Sequence, residues 1–204
     1  MTSLDMFNEL GPDNVSTVQI FKTLKISPGN LYYYYRNKEE IIRAIYEQMV
    51  TEYRENWNME EMLKPEFNAP QRIINNLRIF FKYRFLMNHM SALANNDSVL
   101  RERFIEVTSL RQSELGRYFS LLESQGMMDF KHDPDAIPNL VSVLWFLGEF
   151  WLMNKELKVG KINELTREME LEYMQMNTFL TNQFITEKGM EGFALKQQDS
   201  IYRR

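Results

Sequence analysis

The stretch from Ile26 to Ile41, I-S-P-G-N-L-Y-Y-Y-Y-R-N-K-E-E-I, restricts this chain more than any other. Ser27 is suited to cap a helix and Pro28 to open it, because the hydroxyl accepts an orphan N–H and proline lacks one. That helix has room for about two turns. Asn37 then caps the next helix, whose Glu39 and Glu40 fall at the positive end of its dipole. Upstream, Ser16 caps a helix over Thr17 to Leu24 that turns Val18, Ile20, Phe21 and Leu24 inward. Two short helices joined at Lys25 and Ile26 predict a helix-turn-helix.

Thr17, Ile20, Ser27, Gly29, Leu31, Tyr32, Tyr35 and Lys38 stand at fixed offsets, as threonine-x-x-isoleucine, then serine-x-glycine-x-leucine-tyrosine, an aromatic and a lysine. In these residues the chain resembles the TetR family of transcriptional regulators. The similarity is close from Leu4 to about Tyr46 and architectural beyond. Three positions depart from the family pattern. Leu24 and Lys25 replace alanine and glycine at the turn, and a lysine held at positive φ costs on the order of 1 kcal/mol. Phe21 replaces a small residue, so the three helices must open around a ring. The chain also begins almost inside its first helix, so either the start is truncated or the family's basic arm is missing.

The resemblance implies an all-α protein in which a three-helix DNA-binding domain (1–46) is joined by a linking helix to a larger ligand-binding and dimerisation bundle (47–188), followed by a tail (189–204). In helix-turn-helix docking, the second helix enters the major groove while flanking groups hold phosphates. Carried over residue by residue, Pro28, Gly29, Asn30 and Tyr33 face bases, and Thr17, Tyr32, Tyr34 and Lys38 face phosphates. Leu31 and Tyr35, four apart, face the small domain's own core.

Helical periodicity extends through the rest of the chain. It predicts helices from Lys38 to about Trp57, from Gln71 until the pattern fades at Asn88 to Met90, from Ser98 to about Gln125, from Asp135 to Leu157 and from Ile162 to Thr186. The fourth of these is apolar on two faces. Leu140, Leu144, Leu147 and Trp151 form one, and Val143, Phe146, Phe150, Met153 and Leu157 the other. A helix apolar on both faces must be covered on both, and Gly148 allows a close approach. With Met169, Tyr173, Met176 and Leu180 of the last helix, the residues Leu144, Leu147, Gly148 and Trp151 are the expected dimer interface, a four-helix arrangement. The apolar run from Ile137 to Met153 falls short of the roughly 20 residues a membrane span needs and is interrupted by Asn139, Ser142 and Glu149, so no membrane partner is expected.

Polar residues on apolar faces mark a candidate ligand pocket: Arg84 and Asn88 beside Phe81 and Phe85, and Thr108 and Arg111 on the following helix, with Glu149 opposite. Two readings stand. One is an anion-binding apolar pocket suited to a fatty-acyl or aromatic carboxylate. The other is an internal ion pair, for instance with Glu149, or arginines that reach the surface along their stems.

The net charge of -4 argues against broad attraction to DNA, yet the segment from Lys22 to Arg43 nets +3 while Met1 to Phe21 nets -3. A local phosphate-facing patch fits both values. The chain has no cysteine, which excludes disulfides and thiolate chemistry, and no signal peptide is readable. A cytoplasmic location is expected. His89 and His132 are isolated, and no metalloprotease, di-iron, phosphate-loop or nucleophile-elbow motif occurs, so neither metal, cofactor nor enzymatic activity is expected. The functional expectation is a homodimeric repressor on a palindromic double-stranded operator, released by a small apolar or amphipathic effector. The alternatives are a helical ligand- or partner-binding protein that has lost operator binding and, third, a helical enzyme.

Overall fold

A computed structural model describes residues 2–62, 64 and 67–192. The described residues contain no strand; their helices include α1 (Ser3–Leu10), α2 (Thr17–Leu24), α3 (Pro28–Tyr34), α4 (Lys38–Asn56), α5 (Met59–Met62), α6 (Ala69–Lys82), α7 (Arg84–Asn96), α8 (Ser98–Ser124), α9 (Ala136–Val159) and α10 (Arg167–Asn182), and residues 187–192 are also helical. Side-chain caps set most of the starts. Ser16 accepts from Gln19 N–H, Ser27 from Asn30 N–H and Asn37 from Glu40 N–H, so each orphan donor at the start of α2, α3 and α4 finds an oxygen. Lys25 ends α2 in the left-handed region at φ 55°, the strained lysine expected from the turn sequence.

The first core joins α1–α4 to α7 and α8. Met6, Phe7, Val15, Ile20, Leu31, Ile41 and Tyr46 pack in one cluster with Tyr83, Phe85, Leu86 and Leu100. The boundary expected at residue 46 therefore runs through a shared core, and the small domain is seated on the bundle by apolar contact. Phe21 and Tyr35 lie at the edge of this cluster. A second cluster gathers Tyr118, Phe119, Leu122, Phe130, Leu140 and Val141, and a third Leu77, Trp151, Leu152, Ile162 and Tyr173.

Two predicted helices are corrected. The segment expected as one helix from Gln71 is two, α6 and α7, broken at Tyr83. Tyr83 is fully buried with its hydroxyl on Glu52 at 2.6 Å. Asn8 of α1 satisfies the groups the break exposes: its amide donates to Lys82 C=O at 2.8 Å and its oxygen accepts from Phe85 N–H at 3.0 Å. The last helix starts at Arg167 rather than Ile162, because Thr166 caps it by accepting from Met169 N–H. Beyond it, Ile185 makes an isolated antiparallel bridge with Met128. The tail expected over 189–204 lies outside the described residues from 193 onward.

The apolar helix expected from Asp135 to Leu157 runs from Ala136 to Val159. At 24 residues α9 has the length and composition to cross a membrane, yet its inner face is packed by α6, α7, α8 and α10 of the same chain.

Candidate DNA-reading helix and ligand cavity

The short helix α3 stands out from the protein surface on all but one side. Leu31 is its single buried residue, and Pro28, Gly29, Asn30, Tyr32, Tyr33 and Tyr34 are exposed. Tyr33 is 82% exposed and Tyr34 69%, their rings edge to face at 5.0 Å. Tyr33 and Tyr34 leave most of their surface to solvent, whereas Tyr32 is 46% exposed and reaches Thr17 of α2. Gly29 is informative in a different way. A Cβ added there would meet no atom within 4 Å, and its φ is not in the left-handed region. Neither packing nor backbone conformation requires glycine, although glycine in a helix costs about 0.5–1 kcal/mol relative to alanine.

The residues expected to face phosphates are partly gathered. Thr17 Oγ1 and Tyr32 Oη lie 3.0 Å apart. Together with Arg36, Asn37 and Lys38 they line a recess of about 460 Å³ at the start of α2. Lys38 itself is tethered, its Nζ donating to Pro12 C=O at 2.6 Å. Tyr34 lies apart from this recess. Arg36, which the motif passed over, joins it, and its exposure beside a helix N-terminus is the signal that could have found it.

The bundle encloses a cavity of about 300 Å³, at the low end of the roughly 300–1,000 Å³ usual for small-molecule sites. Its walls are mainly apolar and include an aromatic group: Tyr53 stacks on Phe80 at 6.0 Å and meets Trp145 edge-on at 6.4 Å. Burial pushes the Tyr53 hydroxyl up to about 12, so it enters the cavity as a neutral donor and acceptor. Met49, Val50 and Tyr53 come to the cavity from α4, the helix whose first turn follows α3, and Trp57 from its C-cap.

The seven residues grouped from sequence as a pocket divide. Thr108, Arg111 and Glu149 line this cavity. Phe81, Arg84, Phe85 and Asn88 do not. Arg84 lies over the Phe81 ring at 4.6 Å and donates to Phe81 C=O, and Asn88 donates to Glu156 at 2.7 Å. Phe81 packs with Leu77 and Trp151, Phe85 stacks on Phe7 of α1 at 5.1 Å, and Arg84, Phe85 and Asn88 line a separate recess against α1, beyond the break at Tyr83. The suggested pairing of an arginine with Glu149 is also corrected. Buried Arg111 pairs with Glu114 of its own helix at 2.5 Å, and among the described residues its buried Nε–H has no partner. Glu149 accepts only from Trp145 Nε1–H, at 2.7 Å, among the described residues. Burial raises its pKa, and the indole hydrogen bond offsets part of that rise.

The residues of the expected dimer face lie mostly within the chain. Leu144, Leu147, Gly148, Trp151, Met169, Tyr173 and Leu180 pack inside the chain, and only Met176 of the eight is exposed. Gly148 admits not a partner but Phe80 of α6 and Tyr173 of α10, 3.2 and 3.6 Å from where a Cβ would stand. The other face of α9 is the one left open. Val143, Phe146, Phe150 and Leu157 are exposed there, and on α10 Met176 and Phe179, the last at 80%.

Comparison with known proteins adds the family. A model described as TetR, bacterial transcriptional repressor, matches residues 58–193, and one described as bacterial regulatory proteins, tetR family, matches residues 2–45. Among solved structures, a TetR-family transcriptional regulator from Marinobacter aquaeolei VT8 is similar at a TM-score of 0.75 and 22% identity, over 97% of this chain and 94% of that one. Salmonella enterica GusR is similar at a TM-score of 0.63 and 18% identity, over 89% and 92% of the two chains. No curated protein matches the chain.

Proposed function

The chain belongs to the TetR family of bacterial transcriptional regulators, and from that premise we propose that it is a homodimeric repressor released from a palindromic operator by a small apolar or amphipathic effector. The observation that carries the reading is α3. Its first turn offers Pro28, Gly29 and Asn30 to solvent, with open space where glycine has no internal purpose. A helix that must approach base edges closely needs such a surface. Asn30 can pair an adenine edge through its amide, and Tyr33 can meet a thymine methyl. Thr17, Tyr32, Arg36 and Lys38 hold phosphate at the start of α2, where unpaired N–H groups add to the attraction.

Two copies meet through the exposed faces of α9 and α10. Burying Phe146, Phe150, Leu157 and Phe179 against their symmetry mates removes a patch that an isolated chain would expose to water. The two copies of α3 then address successive turns of one groove.

Regulation runs through α4. One end follows α3 and the other lines the cavity with Tyr53 and Trp57. A ligand that fits better when α4 is displaced shifts the population toward dimers whose reading helices no longer match the operator. Arg43 on α4 pairs with Asp97 at 2.8 Å, and Arg103 of α8 forks onto Glu47 at 2.7 and 3.0 Å, so α4 is coupled to α8 as well as to the cavity. The protein acts in the cytoplasm, where its operator is.

One observation favours the rival, a ligand-binding protein without an operator: the Lys38 ammonium is engaged by Pro12 C=O. Replacing Tyr33 by alanine separates the two readings. A regulator loses base preference and affinity on its best duplex while keeping its fold. Unchanged retention and preference contradict the assignment of α3.

A further inference from the structure

The cavity carries three charged side chains, Arg111, Glu114 and Glu149. Arg111 and Glu114 neutralise one another at 2.5 Å. Among the described residues Glu149 has no cation, only the Trp145 indole N–H, so the cavity lining holds two carboxylates to one guanidinium. An entering anion would meet this excess of negative charge in a low-dielectric enclosure, where repulsion is strongest. A cation would be attracted.

The aromatic walls point the same way. Trp145, the hydrogen-bond partner of Glu149, lies against Tyr53, and Tyr53 stacks on Phe80. Gly148, next to Glu149, touches Phe80 and the Tyr173 hydroxyl. The cations that lie over aromatic rings among the described residues are Arg72 on Phe67, Lys82 on Tyr83, Arg84 on Phe81 and Lys155 on Trp151. None lies over Tyr53, Phe80 or Trp145. A carboxylate set among aromatic rings that carry no cation of the chain is an arrangement suited to organic ammonium groups.

We infer that the effector is a monovalent organic cation with an apolar or aromatic body, its charged end against Glu149 within the Tyr53, Phe80 and Trp145 walls. This rests on the reading of the cavity as the effector site. It replaces the carboxylate effector that Arg111 suggested from sequence.

The test is a charge series on the full-length protein: 6-phenylhexyltrimethylammonium, 6-phenylhexanol and 6-phenylhexanoate, followed by tryptophan fluorescence and titration calorimetry. The ammonium is expected to bind tightest and the carboxylate weakest. Glu149→Gln is expected to weaken the ammonium roughly tenfold or more and leave the alcohol unchanged. Should the alcohol or carboxylate bind and the ammonium gain nothing over them, or should Glu149→Gln leave the ammonium untouched, the cation assignment falls and the effector site stands. Absence of binding by all three overturns both. The series in the unsubstituted protein remains decisive if Glu149→Gln does not fold.

Discussion

Replacing Gly29 by alanine should stabilise the protein and weaken its grip on DNA. The added methyl meets no atom within 4 Å, and the backbone at Gly29 is outside the left-handed region. The folded state therefore neither gains nor loses a contact. The unfolded chain loses conformational freedom, worth about 0.4–1 kcal/mol at a compatible position. For a chain of this length that is a rise of about 1–4 °C in Tm. On DNA the balance reverses. If the first turn of α3 lies against base edges, the methyl overpacks a formed interface at a cost of about 1–3 kcal/mol, or roughly 5- to 150-fold in Kd. Urea unfolding gives the first quantity and fluorescence anisotropy on the preferred duplex, at fixed salt, the second. Stabilisation with unchanged DNA affinity would refute the placement of α3 in a groove. Destabilisation would show instead that Gly29 has a role inside the fold.

Other substitutions examine the supports of this arrangement. Asn8→Ala removes both hydrogen bonds at the break between α6 and α7 and should cost about 1–3 kcal/mol in urea unfolding; a loss under 0.5 kcal/mol would mean that the break does not depend on α1. Lys25→Gly relieves the left-handed lysine at φ 55° and should stabilise by about 1 kcal/mol in the same assay. Phe146→Glu places a charge on the open face of α9 and should yield monomers by sedimentation, whereas unchanged mass would put the interface elsewhere. Glu52 is desolvated, yet hydrogen bonds from Lys82 and Tyr83 hold its pKa below the ordinary value of 4.5. Its folded pKa is depressed, so its contribution is present above 4.5 and is lost as pH falls below it; Glu52→Gln should flatten that acid limb of the stability profile.

Much of the architecture was legible because it is local. Ser16, Ser27 and Asn37 announced three helix starts from their own side chains, and Asp97 set the start of α8 by accepting from Val99 and Leu100 N–H. What escaped depends on distant partners. No glycine or proline marks the break at Tyr83, which is held by Asn8 some 75 residues earlier in the chain. The choice between the two faces of α9 was not periodic information, since both are apolar; it is made by Phe80 and Tyr173 arriving beside Gly148. Arg111 could be seen to need a partner, but Glu114 one turn away and Glu149 across the cavity were equally available in sequence. The tyrosines of α3 were legible for the opposite reason, because a two-turn helix cannot bury three consecutive rings.

The most direct test of the account is selection of the purified protein on a pool of randomised duplexes at moderate salt. Enrichment of a two-fold symmetric site, lost by the Tyr33→Ala protein, is the predicted result and would establish a dimeric sequence-reading regulator. Retention without sequence enrichment, or enrichment that survives Tyr33→Ala, would contradict it.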